Sequence, residues 1–201
     1  MEIMRNFKVF QTSGELRTNT YLLSTNGVNY IIDPGKGVSE FVQLDTQYQV
    51  ILTHGHYDHI SGLNEIRPQK LYISNEESVY LSDPYLNLSI LFGELFSIDI
   101  RWYNVDEYFQ VIPAPGHTYG SRVIIFDGFI FTGDVVFIDT IGRVDLYLDN
   151  SVRRKMREEM KNTVSVLREK FKKLPQDWIV CPGHGNIFEL RELFKLNPFF
   201  K

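Results

Sequence analysis

The chain has 201 residues, of which 43% are hydrophobic and 23% charged, with one cysteine and a formal net charge of −4. This composition is typical of a globular protein, and we expect residues 1–201 to form a single domain. One cysteine excludes an internal disulfide framework and favours a reducing, cytoplasmic location. The acidic balance disfavours a nucleic-acid partner, and no apolar run is long enough to span a membrane.

Short runs of β-branched and aromatic residues predict strands along the whole chain. The first two, at residues 20–23 and 29–32, flank the dipeptide Asn26-Gly27, which favours a tight hairpin. Later runs predict strands at residues 49–52, 70–73, 108–112, 122–126, 129–131 and 178–181.

The clearest helical pattern covers residues 151–174, where apolar residues recur at steps of three and four and form one stripe. Asn150 or Ser151 is the expected N-cap, and Pro175 ends the helix. Residues 82–107 predict an irregular surface segment, with a substrate-binding wall as one interpretation. Strands interleaved with helices predict a layered α/β fold. Shorter helices are predicted at residues 39–44, 60–66, 76–81 and 188–196.

Three of the five histidines follow one apolar strand directly, together with an aspartate. Residues two apart in an extended segment face the same way, so His54 and His56 converge on one point. Asp58 and His59 project from the first turn of the helix that follows, toward a neighbouring point. This spacing suits two adjacent metal ions better than one, and it is hard to explain as a solvated polar loop.

The remaining histidines, His117 and His184, and also Asp134 follow predicted strands and stand beside glycines. In α/β sheets, ligands gather at the carboxyl ends of strands, so we expect these side chains to join the first cluster at one rim. Asp33 has two open interpretations. It accepts a hydrogen bond from a ligand histidine, or it only begins the turn Asp33-Pro34-Gly35.

The order His-x-His-x-Asp-His, Gly-His-Thr, Thr-Gly-Asp and Pro-Gly-His-Gly resembles the metallo-β-lactamase superfamily, over about residues 19–186. The resemblance implies a four-layer αβ/βα sandwich that holds two divalent metal ions. Residues 19–23, 32–35 and 131–137 resemble its short, glyoxalase II-like (hydroxyacylglutathione hydrolase-like) branch. The resemblance implies that His54, His56 and His117 bind the first ion. It implies in the same way that Asp58, His59 and His184 bind the second ion and that Asp134 bridges both.

The same resemblance implies a metal-dependent hydrolase that acts on a small molecule, in the first place a thioester. A hydroxide between the two ions is the expected nucleophile. Zinc suits these ligands best, with iron or manganese as alternatives. The runner-up function is a persulfide dioxygenase with a single iron, because residues 142–146 resemble a Gly-Arg-x-Asp-Leu/Phe element that both classes share. A lactonase is the third candidate, and a metal-stabilised binding module without turnover is an alternative from another class. We expect the protein to be a monomer or a homodimer.

Two further positions carry expectations. Cys181 is expected to be a small buried hydrophobe and not a nucleophile. Arg143 and Asp145 are expected to form a structural ion pair, with contact between Arg143 and an anionic substrate as the alternative.

Overall fold

The structure, a computed structural model, describes residues 6–13 and 16–201. Its chain divides into two compact units, the first ending at Tyr108 and the second covering Phe109–Lys201. Each unit contains one β-sheet and an apolar cluster of its own. The expectation of a single domain over residues 1–201 stays a prediction.

The first unit contains a six-stranded sheet in which the strands are ordered as in the sequence. Strands β1 to β3 are antiparallel, whereas β3 to β6 are parallel. The carboxyl ends of β3, β4 and β5 therefore lie at one edge, where the antiparallel β2 begins. The strands are β1 Phe7–Gln11, β2 Asn19–Thr25, β3 Val28–Ile32, β4 Tyr48–Ile51, β5 Lys70–Ile73 and β6 Trp102–Asn104.

The predicted hairpin between β2 and β3 is confirmed. Asn26 and Gly27 both have positive φ angles, 51° and 75°, as a two-residue turn between right-twisted strands requires. The sequence pattern does not predict β1 or β6, because β1 lacks a clear apolar alternation and β6 has only three residues.

Helical structure in the first unit is short. Helix α1, at Tyr57–Ile60, is the one α-helix among the described residues of this unit. The short helices predicted at residues 39–44, 60–66 and 76–81 overlap single turns of 3₁₀-helix, because such short segments form too few hydrogen bonds to offset α-helix nucleation. Residues 82–107 are mostly irregular, as predicted. Turns of 3₁₀-helix lie at Val38–Glu40, Ser61–Asn64, Ser78–Leu81, Ser89–Phe92 and Val105–Glu107.

The second unit contains a five-stranded sheet in the order β11-β10-β9-β8-β7. Strand β8 is antiparallel to both β7 and β9, whereas β9 and β10 are parallel. Strands β7, β9 and β10 therefore point the same way, and their carboxyl ends lie at one edge. The strands are β7 Gln110–Pro113, β8 Arg122–Phe126, β9 Phe129–Gly133, β10 Ile179–Pro182 and β11 Phe188–Glu189.

Helix α2, at Asn150–Phe171, confirms the long amphipathic helix. Its N-cap is Asp149 and not the predicted Asn150 or Ser151, because the Asp149 carboxylate accepts hydrogen bonds from two backbone N–H groups of the first turn. Helix α3, at Leu190–Leu196, begins later than predicted, since β11 takes the first two residues of the segment. The buried stripe of α2 consists of Met156, Met160, Thr163, Val164, Leu167 and Phe171.

Two sheets accompanied by helices confirm the α/β class. Among the described residues, no helix has both the length and the apolar character that crossing a membrane requires.

Candidate metal centre

In the first unit, the structure brings together the four predicted ligands of residues 54–59. Strand β4 leads into His54, and His56 is extended (φ −66°, ψ 148°) directly before α1, which carries Asp58 and His59. The ring centre of His54 lies 4.9 Å from that of His56 and 4.1 Å from that of His59. All three imidazoles are buried.

The backbone between the two strand-end histidines is tightly enclosed. A Cβ on Gly55 would overlap the side chain of Tyr80. The Gly55 N–H donates a hydrogen bond of 2.7 Å to the carboxylate of Glu77, which is fully buried. A buried carboxylate therefore fixes the peptide that joins His54 and His56. Sequence patterning did not identify Glu77, because only the parallel pairing of β4 and β5 brings it to this edge.

Asp33 has both of the roles that the sequence left open. Its φ of 52° is left-handed, as the turn after β3 requires. One carboxylate oxygen accepts hydrogen bonds from the Thr53 backbone N–H (2.8 Å), and the other accepts from the Thr53 hydroxyl (2.7 Å). The second oxygen also lies 3.1 Å from His59 Nδ1. Asp33 thus begins the turn and orients a candidate ligand.

These contacts determine which imidazole nitrogen carries the proton. The Thr53 hydroxyl donates to Asp33, so its lone pair accepts the proton of His54 Nδ1, at 3.1 Å. His59 Nδ1 likewise donates to the Asp33 carboxylate. In both rings Nε2 then keeps its lone pair, which is the form that binds a metal ion. Asp33, His54 and His59 also form a group in which one nitrogen or oxygen atom of each side chain lies within 4.8 Å of the others.

Asp58 is held from the start of β2. The Thr18 hydroxyl donates a hydrogen bond of 2.6 Å to Asp58 Oδ2, and the same oxygen lies 3.4 Å from His59 Nε2. Atoms that share a tetrahedral ion at about 2.0–2.1 Å are separated by about 3.3–3.4 Å. The spacing between Asp58 and His59 therefore fits two ligands of one ion.

In the second unit, His117, Asp134 and His184 follow β7, β9 and β10, whose carboxyl ends share an edge. Asp134 Oδ2 lies 3.6 Å from His117 Nε2 and 3.4 Å from His184 Nε2. Both separations exceed the usual hydrogen-bond length and match the spacing of ligands around an ion. The structure thus gathers the three predicted ligands of this unit around one carboxylate oxygen.

The loop after β9 fixes the orientation of the His117 ring. Its Nδ1 donates a hydrogen bond of 2.9 Å to the Arg143 carbonyl, so Nε2 again keeps the lone pair. A Cβ on Gly142 would overlap the carbonyl oxygen of Asp134, and the Gly142 N–H donates to the Val135 carbonyl at 3.1 Å. Glycine at this position lets the loop lie directly against the Asp134 backbone.

Two positions outside the ligand set have the contacts and burial that the sequence predicted: Arg143 pairs with Asp145, and Cys181 is buried. The Arg143 guanidinium donates to both Asp145 oxygens, at 2.9 and 3.1 Å, and these hydrogen bonds lower the pKa of Asp145. Cys181 is buried, and burial raises the pKa of its thiol well above the usual range. The thiol is therefore protonated at neutral pH and unsuited to act as a nucleophile.

The donor set of each unit fits divalent transition-metal ions. It consists of imidazoles and carboxylates, and in His54, His59 and His117 the Nε2 atom keeps its lone pair. Zinc, iron and manganese all accept such ligands. Residues 13–184 match the family described as the metallo-beta-lactamase superfamily.

Relatives of the chain include named enzymes. A probable metallo-hydrolase of Streptococcus pyogenes is 29% identical over 218 residues, with 96% of this chain and 90% of the relative covered. A hydroxyacylglutathione hydrolase of Haemophilus influenzae is 31% identical over 196 residues, with 84% and 85% covered. The crystal structure of the BLEG-1 B3 metallo-beta-lactamase has a TM-score of 0.79 and 26% identity, and covers 97% of this chain and 99% of its own.

Proposed function

The chain belongs to the metallo-β-lactamase superfamily, a fold and family that its sequence predicted, and from this premise we propose that it is a metal-dependent hydrolase of thioesters. The observation that carries the proposal is the hydrogen bonding of three candidate ligand histidines at Nδ1. Hydrogen bonds at Nδ1 leave Nε2 of His54, His59 and His117 ready to bind a metal ion.

We infer that the chain holds two divalent ions, with zinc as the preferred metal. When bound, such ions polarise a carbonyl group and lower the pKa of water toward neutrality. The proposed ligands are His54, His56, Asp58, His59, His117, Asp134 and His184.

The chain's own side chains prepare these ligands. Asp33 and Thr53 keep the Nδ1 protons of His54 and His59 in place, which prevents either ring from turning away. Thr18 donates one hydrogen bond to the Asp58 carboxylate, and the other lone pairs of that carboxylate can bind an ion. Glu77 holds the peptide at Gly55. The site is therefore organised before a substrate arrives.

A thioester is the proposed substrate class for two reasons. A relative that covers most of the chain is named hydroxyacylglutathione hydrolase. Zinc is also borderline-soft and suits a thiolate leaving group. Hydrolysis adds water across the C–S bond and releases a thiol and a carboxylic acid, which at neutral pH ionises to a carboxylate and a proton. We place this reaction in a reducing cytoplasm, because a chain with one cysteine has no internal disulfide to form.

The first test is the metal content of protein purified without chelator, measured by mass spectrometry for zinc, iron and manganese separately. We expect close to two ions per chain, mainly zinc. Asp134→Ala should lose most of the metal and all thioester turnover while its circular dichroism stays native. Near-normal turnover in this variant would show that Asp134 is not a ligand.

The second test is a substrate panel for the metal-loaded protein. Thioesters should be hydrolysed faster than lactones, the β-lactam nitrocefin and simple oxygen esters. One iron per chain with oxygen uptake on glutathione persulfide would replace the hydrolase with a dioxygenase. Lactone hydrolysis without thioester turnover would make the protein a lactonase, and a metal-loaded protein inactive on the whole panel would favour a binding module.

A further inference from the structure

The backbone on both sides of His56 is held by the irregular segment that follows β5. The Gly55 N–H donates a hydrogen bond of 2.7 Å to the Glu77 carboxylate. The Tyr57 N–H donates one of 2.7 Å to the Asn87 carbonyl. Tyr57 is the first residue of α1, so its N–H has no acceptor within the helix. The Asn87 carbonyl supplies this acceptor directly between two candidate metal ligands.

Aromatic side chains of the same segment pack against the start of α1. The ring centre of Tyr57 lies 5.7 Å from that of Phe92 and 5.7 Å from that of Phe96. The ring centres of His56 and Tyr80 are 6.1 Å apart. Tyr80 and Phe96 are both buried. The segment therefore supports residues 56 and 57 through side chains as well as through the backbone.

The side chain of Asn87 determines the shape of this segment. It is fully buried, and its NH₂ group donates to the carbonyls of Tyr80 (2.8 Å) and Phe96 (3.1 Å). Its oxygen accepts from the Ser89 N–H at 2.9 Å. Residues 82–88 and 93–96 belong to no helix or strand, so the path of the chain depends on such bonds.

The contacts of this side chain require an asparagine. They use two donor groups and one acceptor, which a side-chain amide supplies together. An ionised aspartate offers no donor, and a leucine of similar shape would leave all three backbone groups without these bonds. Each buried polar group that loses its partner costs about 1–3 kcal/mol. A fully buried side chain cannot line a substrate-binding wall, so the role of Asn87 lies in the shape of the segment.

We propose that Asn87 is a positioning residue of the metal centre. Its side chain fixes the segment, and its backbone carbonyl then orients the peptide that joins His56 to the first turn of α1. A shift of this peptide displaces the side chains of His56 and Asp58 relative to each other. Asn87 acts through the peptide and is itself no ligand. The proposal rests on the proposed metal centre and not on the class of substrate.

Two substitutions of Tyr57 isolate the hydrogen bond to the Asn87 carbonyl. Tyr57→Pro removes the N–H, whereas Tyr57→Ala removes the same ring and keeps the N–H. Proline suits the local backbone, because it is favoured at the first position of a helix. The preceding residue, His56, is extended (ψ 148°), as a residue before proline should be. A difference between the two variants therefore reports the hydrogen bond and not the ring.

The affinity for zinc is measured by competition with a chromophoric chelator. Tyr57→Pro should bind zinc at least about tenfold more weakly than Tyr57→Ala, since removing an outer partner of a metal site usually costs about 10- to 100-fold. Cobalt(II) is loaded as well, because its visible absorption depends on the geometry of its ligands. The cobalt spectrum of Tyr57→Pro should differ from that of Tyr57→Ala. Equal zinc affinities in the two variants would overturn the proposal, and so would identical cobalt spectra.

Asn87→Ala tests the side chain, because it removes all three side-chain hydrogen bonds. Its zinc affinity should fall at least about tenfold below that of the native protein. Asn75→Ala is the matched control, since Asn75 lies in the turn directly after β5 but is exposed. Native affinity in Asn87→Ala, or an equal loss in both variants, would contradict the positioning role. Circular dichroism checks the folding of each variant, and if Asn87→Ala does not fold, the two Tyr57 variants decide the question.

Activity separates this proposal from the proposed function. If the native protein binds metal but hydrolyses no thioester, and Tyr57→Pro still binds zinc more weakly than Tyr57→Ala, the positioning role stands and the thioesterase function fails. If thioesters are hydrolysed but the two variants bind zinc equally well, the positioning role fails and the function stands. A native protein that binds no metal would overturn both.

Discussion

Replacing Asp33 by asparagine tests the control of the imidazole protons. Asparagine keeps one acceptor oxygen and places an NH₂ group where the second oxygen now accepts from the Thr53 hydroxyl and from His59 Nδ1. Rotating the amide by 180° does not help, because the NH₂ group then faces the Thr53 backbone N–H. At least one hydrogen bond to a charged group is lost, which corresponds to about 1.5–3 kcal/mol of unfolding free energy.

The same change should weaken metal binding about 10- to 100-fold, as is usual when the partner of a metal-bound histidine is removed. Metal affinity is measured by competition with a chromophoric chelator, and stability by urea unfolding of metal-free protein. Asp127→Asn is the matched control. Asp127 has a φ of 53°, close to the 52° of Asp33, but it lies exposed in the turn between β8 and β9. Native metal affinity in Asp33→Asn would refute the assignment of the protons.

Two further changes give measurable results. Below the unfolded thiol pKa of about 8.5 the stabilisation from the raised pKa of buried Cys181 is complete. Above that pH the unfolding free energy falls by up to about 1.4 kcal/mol per pH unit. Cys181→Ala should remove this pH dependence, which urea unfolding measures at several pH values. Equal slopes in the native protein and the variant would contradict the assignment to Cys181. Gly142→Ala should lower the unfolding free energy by about 1–3 kcal/mol in urea, because the new methyl group overlaps the Asp134 carbonyl; native stability would show that the loop has room to move.

The strands and the long helix were predictable because their signals are local. Alternation and turn residues identify β2, β3 and the hairpin between them, and the apolar stripe identifies α2. The short helices were not predictable in type, since a single turn has almost no periodicity to read. The N-cap of α2 was displaced by one residue because Asp149, Asn150 and Ser151 are all good caps, and only the observed hydrogen bonds select Asp149.

The candidate ligands were accessible from the sequence for a different reason. Imidazoles at strand ends have few structural explanations, and their order matches a known motif. Their partners Thr18, Thr53 and Glu77 carry no such signal, because threonine and glutamate are common at strand ends and turns. Their roles depend on which strands are neighbours. Thr18 lies 40 residues before Asp58 in the sequence, and Glu77 lies 22 residues after Gly55.

The contacts around Asp33 depend on the pairing register of β3 and β4. Strand β3 pairs with β4 so that Ile32 lies opposite Ile51, and the Asp33 N–H donates to the Ile51 carbonyl at 3.1 Å. This register places the Asp33 carboxylate beside Thr53 and, through it, beside His59. A slip of one residue would turn each side chain to the opposite face and break all three contacts of the carboxylate at once. Metal affinity in the first unit is therefore sensitive to strand register, and substitutions in β3 or β4 far from any ligand should weaken it whenever they disturb the pairing.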